Sequence, residues 1–229
     1  MREWWKKYLL RIEQRKASID RLQLVLGMLF MPAELLWMYV HGFEGVNLGS
    51  FIGNAVYMLV CGSLAYSLIR GSQRTDRNDS TRRLFRAYMI WGVINFLDIL
   101  IIFLMGYRWD KADLITTIIS SAGFIFGIGI SVWKRIPWNH PVLKACWAST
   151  LKILPNVLSA WKILLVGGAG GIPIIVYLAA HLLVVVRILF ICVGAEKVGW
   201  RLESKVNFFI ETLNLGTIFL ITLTWWYVQ

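Results

Sequence analysis

The chain has 229 residues, of which 58% are apolar and 16% are charged, whereas about a quarter of the residues in a soluble domain are charged. The mean hydropathy of +0.62 is spread along the whole chain, which excludes a soluble globule and a soluble domain with one anchor. A net charge of +11 would favour nucleic acid as the partner of a soluble protein, but in a membrane protein it reports cytoplasmic loops. We therefore expect the lipid bilayer as a partner and expect no nucleic acid.

Residues 1–21 predict a cytoplasmic amphipathic segment ahead of the first apolar run. Its large apolar residues recur at near-helical spacing with Arg and Lys between them, and they are Trp4, Trp5, Tyr8, Leu9, Ile12 and Ile19. Such a helix would hold its aromatic rings at the lipid headgroups and its cations against anionic lipid. A cleavable signal peptide is disfavoured because no small-residue cleavage site follows the apolar run.

Seven apolar segments are long enough to cross a bilayer core, which takes roughly 17 to 25 residues of helix. They predict an all-α integral membrane protein with spans over 22–40, 50–69, 87–106, 114–133, 145–166, 172–192 and 206–227. The runs are unbroken rather than alternating, which favours helices over β-strands. The polar stretch 71–81 is predicted to be a loop-like linker.

The loops between these segments alternate in basic charge, and this pattern predicts the orientation of the chain. Alternate loops carry 19 Lys and Arg residues on one side and two on the other. Because Lys and Arg concentrate in short cytoplasmic loops, we expect the N-terminus in the cytoplasm and the C-terminus outside.

An internal repeat relates the first three spans to the last three. Met31–Trp37 in the first span resembles Leu154–Trp161 in the fifth, and each is followed by a charge-poor, glycine-rich turn. Laying the third span on the seventh places Asn95 opposite Asn214. We therefore predict two three-helix repeats, residues 22–106 and 145–227, joined by a linker helix over 114–133. The two turns, Gly42–Gly49 and Gly167–Gly171, are expected to close one end of a path between the repeats.

This plan of three, one and three helices resembles the SWEET and PQ-loop transporter superfamily. Leu154-Pro155-Asn156 is similar to the family's Pro-Gln signature with Asn in place of Gln, and Gly171-Ile172-Pro173 resembles the start of the helix that follows it. The family's helix prolines and paired asparagines are matched by Pro32, Pro155, Pro173, Asn95 and Asn214. The proline of the second helix is missing, and Gly49 and Ser50 stand there instead.

The predicted orientation departs from SWEET proteins, whose N-terminus is external. The bacterial Pnu transporters of vitamin precursors resemble this chain in having seven core helices and a cytoplasmic N-terminus, although their clustered Trp-x-x-Trp-x-x-x-Asn signature is absent from this sequence. The resemblance implies a protein of the bacterial inner membrane that transports a sugar or a vitamin-precursor nucleoside.

Polar residues inside the predicted spans mark the candidate substrate site, because such residues are costly in lipid. Asn95 and Asp98 lie three residues apart and share a helix face, as do Glu211 and Asn214. Amides offer donors and acceptors, which suits a neutral hydroxylated ligand. The alternative is that Asn95 and Asn214 bond across helices and only hold the bundle together.

The remaining candidates each have a functional and a structural interpretation. Tyr177, His181 and Asn54 are predicted to contact substrate, or else to be satisfied structural residues. Glu34 and Asp98 are candidates for proton coupling. The prolines Pro32, Pro155 and Pro173 are predicted hinges, with packing kinks as the alternative. Arg187, Lys152 and Lys162 are expected near span ends, where they snorkel or pair with an acid.

These features predict a transporter for a small-molecule substrate, with an intramembrane enzyme acting on a lipid or small molecule as the alternative. Neither an HExxH nor a GxSxG motif occurs in the sequence. Cysteines and histidines are dispersed, at Cys61, Cys146, Cys192, His41, His140 and His181. We therefore expect no cofactor and no metal, and the pattern leaves a homo-oligomer open.

Overall fold

The computed structural model describes residues 4, 7–8, 11, 14–71 and 75–229, and over these residues it is all-helical, with 85% helix and no strand. The helices are α1 Lys16–His41, α2 Leu48–Gly71, α3 Thr75–Leu104, α4 Lys111–Trp133, α5 Pro141–Ala148, α6 Leu154–Val166, α7 Ile174–Val198 and α8 Leu202–Val228. A π-helical turn, Ser149–Ile153, joins α5 and α6 into one long helical segment.

Seven helical segments are long and apolar enough to cross a membrane, which confirms the predicted spans. The predicted loop over residues 71–81 is wrong, because α2 continues to Gly71 and α3 already begins at Thr75. Once an apolar span has nucleated a helix, each further residue that is fixed adds a hydrogen bond, so the helix extends into polar sequence. Residues 72–74, and nine residues of the predicted amphipathic segment over 1–21, lie outside the described residues.

The outer surface of the bundle is apolar, as lipid requires. Large side chains such as Leu104, Leu182 and Tyr227 are 71–82% exposed. A surface of this kind is unfavourable in water and favourable in a bilayer. The chain is therefore an integral membrane protein.

Helices α3 and α8 each pack against two other spans, and each set of three is called a group. Helix α3 packs between α1 and α2, and α8 packs between α7 and the segment formed by α5 and α6. The groups meet where α2 contacts α6 and where α1 contacts α7. Helix α4 lies against α2 and the fifth span, where a side chain on Gly123 would collide with Thr150. Small residues of this kind allow membrane helices to approach closely.

We use two names for the ends of the bundle. The turn end holds the three connections 42–47, 105–110 and 167–173, and the basic end holds Lys16, Arg83 and Lys144. One apolar core cluster, which includes Met38, Leu48 and Tyr107, lies at the turn end. A second surrounds the fully buried Trp147 and joins α2, α5 and α8.

Candidate functional site

A cavity of about 240 Å³ lies between the two groups of spans. This is the bulk volume of about eight water molecules, which is enough for a small metabolite. Its wall is formed by α1, α2, α3, the π turn, α6, α7 and α8. The polar and charged residues that line it are Glu34, Asn47, Ser50, Asn54, Asn95, Asp98, Lys152, Asn156, Ser159, Tyr177, Arg187 and Asn214. We call it the central cavity.

Most residues that the sequence analysis singled out for substrate contact line this cavity. They are Asn54, Asn95, Asp98, Tyr177 and Asn214, and the candidates for proton coupling, Glu34 and Asp98, are both among its lining residues. Their grouping follows from helix packing, since each of the five helices α1, α2, α3, α7 and α8 contributes at least one of them.

Two predicted residues lie elsewhere. Glu211 lines a second cavity rather than the central one. His181 lines neither cavity, and its Nδ1 is 2.6 Å from the carbonyl oxygen of Tyr177 in the preceding turn of α7.

The three prolines occupy different positions in their helices. Pro32 lies inside the continuous helix α1, and Pro155 is the second residue of α6, directly after the π turn. Pro173 lines the central cavity but precedes α7 as its N-cap residue. Hinge motion at these residues stays a prediction.

The paired asparagines bond within their own helices. Asn95 Nδ2 donates to the carbonyl oxygen of Trp91 at 2.7 Å, and Asn214 Nδ2 donates to Glu211 Oε2 at 3.4 Å. In the described part of the chain, Oδ1 of Asn214 and Oδ1 of Asp98 are buried without a donor. An unpaired buried acceptor costs about 1 to 3 kcal/mol. Two residues that line the cavity therefore each carry a buried acceptor without a donor.

The sequence analysis missed Lys152 as a cavity residue. It was expected near a span end, but its side chain is only 7% exposed and lines the central cavity, with Nζ 5.6 Å from the centroid of the Tyr57 ring. Lys152 lies in the π turn, which inserts an extra residue into the helix and changes the direction of the side chains around it. Only the nearby Pro155 hints at such an irregularity in the sequence.

Lys162 was also expected near a span end and instead forms the centre of a buried ion network at the turn end. Its Nζ donates to Asp110 Oδ2 at 2.7 Å, to Asp113 Oδ1 at 2.9 Å and to the Tyr107 hydroxyl at 2.6 Å. Asp113 is completely buried, and it also accepts from the backbone N–H of Leu48. The network ties α2, α4 and α6 together through the connection 105–110.

The charges of this network change the titration of the residues in that connection. Burial raises the pKa of Asp110, but hydrogen bonds from Lys162 and the backbone, together with the lysine charge, outweigh it and hold the pKa below its ordinary value. The pKa of Tyr107 is raised above its ordinary value by burial and by its hydrogen bond to Asp113. Asp110 is therefore ionised and Tyr107 protonated at neutral pH.

The two glycine-rich turns contact each other and cover the turn end of the central cavity. Trp37 Nε1 donates to the carbonyl oxygen of Gly170 at 2.8 Å, and the N–H of Gly171 donates to the carbonyl oxygen of Glu44 at 2.9 Å. Gly45 has a φ of +77°, and a Cβ there would lie 2.8 Å from the Gly168 carbonyl oxygen. Glycine is needed because the backbones themselves are in contact.

At the other side, Trp91 and Arg187 separate the central cavity from a second cavity of about 340 Å³ at the basic end. The Arg187 guanidinium carbon lies 5.2 Å from the centroid of the Trp91 ring, within cation–π range. Its Nη1 is 3.9 Å from Glu211 Oε1. The indole of Trp91 rests on Gly27, where any side chain would collide with it.

The fold and these cavities define an integral membrane protein with seven helical spans around a polar internal site. No family model, curated protein or solved structure matches the chain. Within the part of the chain that the structure describes, no group of three His, Cys, Asp or Glu side chains is placed to hold a metal ion.

Proposed function

We propose that the protein is a transporter that moves a small polar metabolite, such as a sugar or a nucleoside, by alternating access. The moving units are two three-helix repeats, residues 22–106 and 145–227, linked by α4 in the manner of the SWEET and PQ-loop superfamily. The helix packing supports this proposal. Pairing the first, second and third spans with the fifth, sixth and seventh converts the contact of α2 with α6 into the contact of α1 with α7, as a two-fold axis along the membrane normal requires.

The observation that carries the proposal is the polar lining of a cavity between the two groups of spans. Membrane bundles held together only by packing satisfy their buried polar atoms among themselves. Here Asp98 and Asn214 from two different helices line a common space and each carry an unpaired buried acceptor, and Asn54 and Asn95 also line it. A ligand with several hydroxyl groups would donate to Oδ1 of Asp98 and Asn214 and would form hydrogen bonds with the side-chain amides of Asn54 and Asn95.

The two ends of the central cavity supply the barriers that alternating access needs. The turn end is covered by the contact between the glycine-rich turns, and the basic end is blocked by Trp91 and Arg187. Bound substrate would shift the balance between states that open one barrier or the other, through its different affinity for each state. Glu34 and Asp98 line the same cavity and remain candidates for proton coupling.

The test starts with the purified protein in detergent. Neutral sugars and nucleosides are screened for those that raise its melting temperature, because a ligand of the native state stabilises it by mass action. Compounds that do so are then measured for counterflow in proteoliposomes. We expect at least one to exchange across the membrane.

The asparagine variants test the site itself. Asn95→Ala and Asn214→Ala should each reduce exchange about tenfold, since hydrogen bonds to a buried polar ligand contribute on the order of 1 to 3 kcal/mol. Asn139→Ala is the matched control, because Asn139 is exposed in the connection before α5. Normal exchange by the double alanine variant would show that Asn95 and Asn214 do not bind the substrate and only hold the bundle together. A stabilising compound that is chemically altered but never exchanged would favour the intramembrane enzyme.

A further inference from the structure

The second cavity, at the basic end, carries an excess of positive charge. Four cationic side chains line it, from Lys16, Arg83, Lys144 and Arg187, against two carboxylates, from Asp20 and Glu211. It is lined by residues of α1, α2, α3, α5, α7 and α8, and it shares Trp91 and Arg187 with the central cavity proposed above for a neutral substrate.

Each of the two carboxylates has an arginine as its ion-pair partner, whereas the two lysines have no carboxylate in contact within the described part of the chain. Arg83 Nε is 3.3 Å from Asp20 Oδ2, and Arg187 is next to Glu211. Among the described residues, no carboxylate oxygen lies within 4.0 Å of Lys16 or Lys144. Lys16 Nζ instead lies 5.9 Å from the centroid of the Phe190 ring. Two ammonium groups thus border a cavity whose own acids are already paired.

The side-chain amide of Gln23, in the wall of the second cavity, is a buried donor that has no acceptor among the described residues. Gln23 is 9% exposed, and the unpaired atom is its Nε2. Buried donors are normally satisfied, so each unpaired one needs a partner that the protein itself does not supply.

We propose that the second cavity binds a phosphate group, carried either by a small soluble anion or by a lipid headgroup. A phosphate monoester carries about 1.5 to 2 negative charges and three strong acceptor oxygens at neutral pH, which match the unpaired amide of Gln23 and two lysines that have no carboxylate oxygen of the described residues within 4.0 Å. Lysine binds phosphate as a compact point charge. The aromatic residues Tyr57, Tyr88 and Trp91 line the same cavity and leave an apolar wall for the rest of the molecule.

This proposal does not rest on transport, because binding is measured on the purified full-length chain. Melting temperatures are recorded in nanodiscs of phosphatidylcholine, with inorganic phosphate or glycerol phosphate added, and with chloride at equal ionic strength as the reference. A second set uses nanodiscs made from equal parts of phosphatidylcholine and phosphatidic acid. Stabilisation by the soluble phosphates assigns the site to a soluble anion, and stabilisation only by phosphatidic acid assigns it to a lipid headgroup.

The variants decide whether the second cavity is responsible. The double variant Lys16→Gln with Lys144→Gln should weaken phosphate binding at least tenfold. The control is Lys111→Gln with Lys134→Gln, which removes the same charge from two exposed positions and should bind like the native chain. Gln23→Glu guards against a double variant that fails to fold, because it keeps the size of the side chain and places a negative charge in the cavity wall that opposes an anionic ligand. It should preserve the melting temperature while abolishing the response to phosphate.

The proposal is overturned if neither phosphate source raises the melting temperature above the chloride reference. It is also overturned if the cavity variants and the control respond equally, because the stabilisation would then be a general effect of anions on a basic protein.

Discussion

The buried ion network around Lys162 allows a quantitative prediction. Lys162→Met keeps most of the apolar stem and removes the ammonium group, which donates to Asp110, Asp113 and Tyr107 at 2.6–2.9 Å. Asp113, at 0% exposure, then keeps donors from Leu48 and Tyr107 but loses its counter-ion. The variant therefore leaves a carboxylate buried and uncompensated.

The size of the effect follows from the burial of both charges. Removing one partner of a buried ion pair costs about 3 to 5 kcal/mol. For a chain of this length a loss of 1 kcal/mol lowers the melting temperature by roughly 2 to 4 °C, so we expect Lys162→Met to lower it by about 6 to 20 °C. Adding Asp113→Asn should recover part of the loss, because the amide oxygen still accepts from Leu48 without a charge.

Lys152→Met is the matched comparison, since Lys152 is also buried in the fifth span. In the described residues no carboxylate oxygen lies within 4.0 Å of its ammonium group. Removing that charge relieves its desolvation but also loses its longer-range attraction to Glu211, so we expect a smaller loss of melting temperature than in Lys162→Met. The measurement is the fraction of monodisperse protein left after heating in detergent. Equal losses in both variants, or no loss in Lys162→Met, would refute the role assigned to the network.

Three further predictions test other parts of the structure. Lys162 holds the pKa of Asp110 below the ordinary value of 3.8. Asp110 therefore stabilises the folded state above that pH and loses its contribution as pH falls through the lowered pKa. On acidification below about pH 4, the melting temperature of Asp110→Asn should fall less than that of the native chain. Gly27→Ala should lower the melting temperature because its methyl group meets the Trp91 indole, whereas Gly216→Ala, where a Cβ meets nothing within 4 Å, should leave it unchanged or raise it by the helix preference for Ala. A C-terminal reporter active only in the cytoplasm should be silent, and activity there would contradict the predicted orientation.

The spans could be predicted from the sequence because each depends on a local property. A run of about 20 apolar residues can satisfy its backbone in lipid only as a helix, so the seven runs define the seven spans. The ends were less predictable, and the extension of α3 back to Thr75 shows why. Composition alone does not show how far a helix continues into polar sequence, since hydrogen bonding along the backbone continues where apolar residues stop.

The lining of the central cavity could be predicted only in part. Asn95, Asp98 and Asn214 were found because a polar residue within an apolar run is conspicuous and has few reasons to be there. Lys152 was misplaced because its position depends on the π turn, and Lys162 because its partners lie 49 and 52 residues earlier in the chain, at Asp113 and Asp110. Contacts between distant segments leave no periodic pattern in the sequence. A buried lysine that is paired with distant carboxylates therefore looks, in the sequence, the same as a lysine at the end of a span.

The two ends of the central cavity are held by interactions of different strength, and this difference indicates where motion is expected. At the turn end, backbone bonds between the turns accompany the ion contacts of Lys162 at 2.6–2.9 Å. At the basic end, the barrier consists of a 3.9 Å ion pair between Arg187 and Glu211 and the contact of Arg187 with the Trp91 ring. Local opening takes place where the fewest buried bonds are lost. If the protein works by alternating access, we therefore expect the basic end to open at lower cost than the turn end.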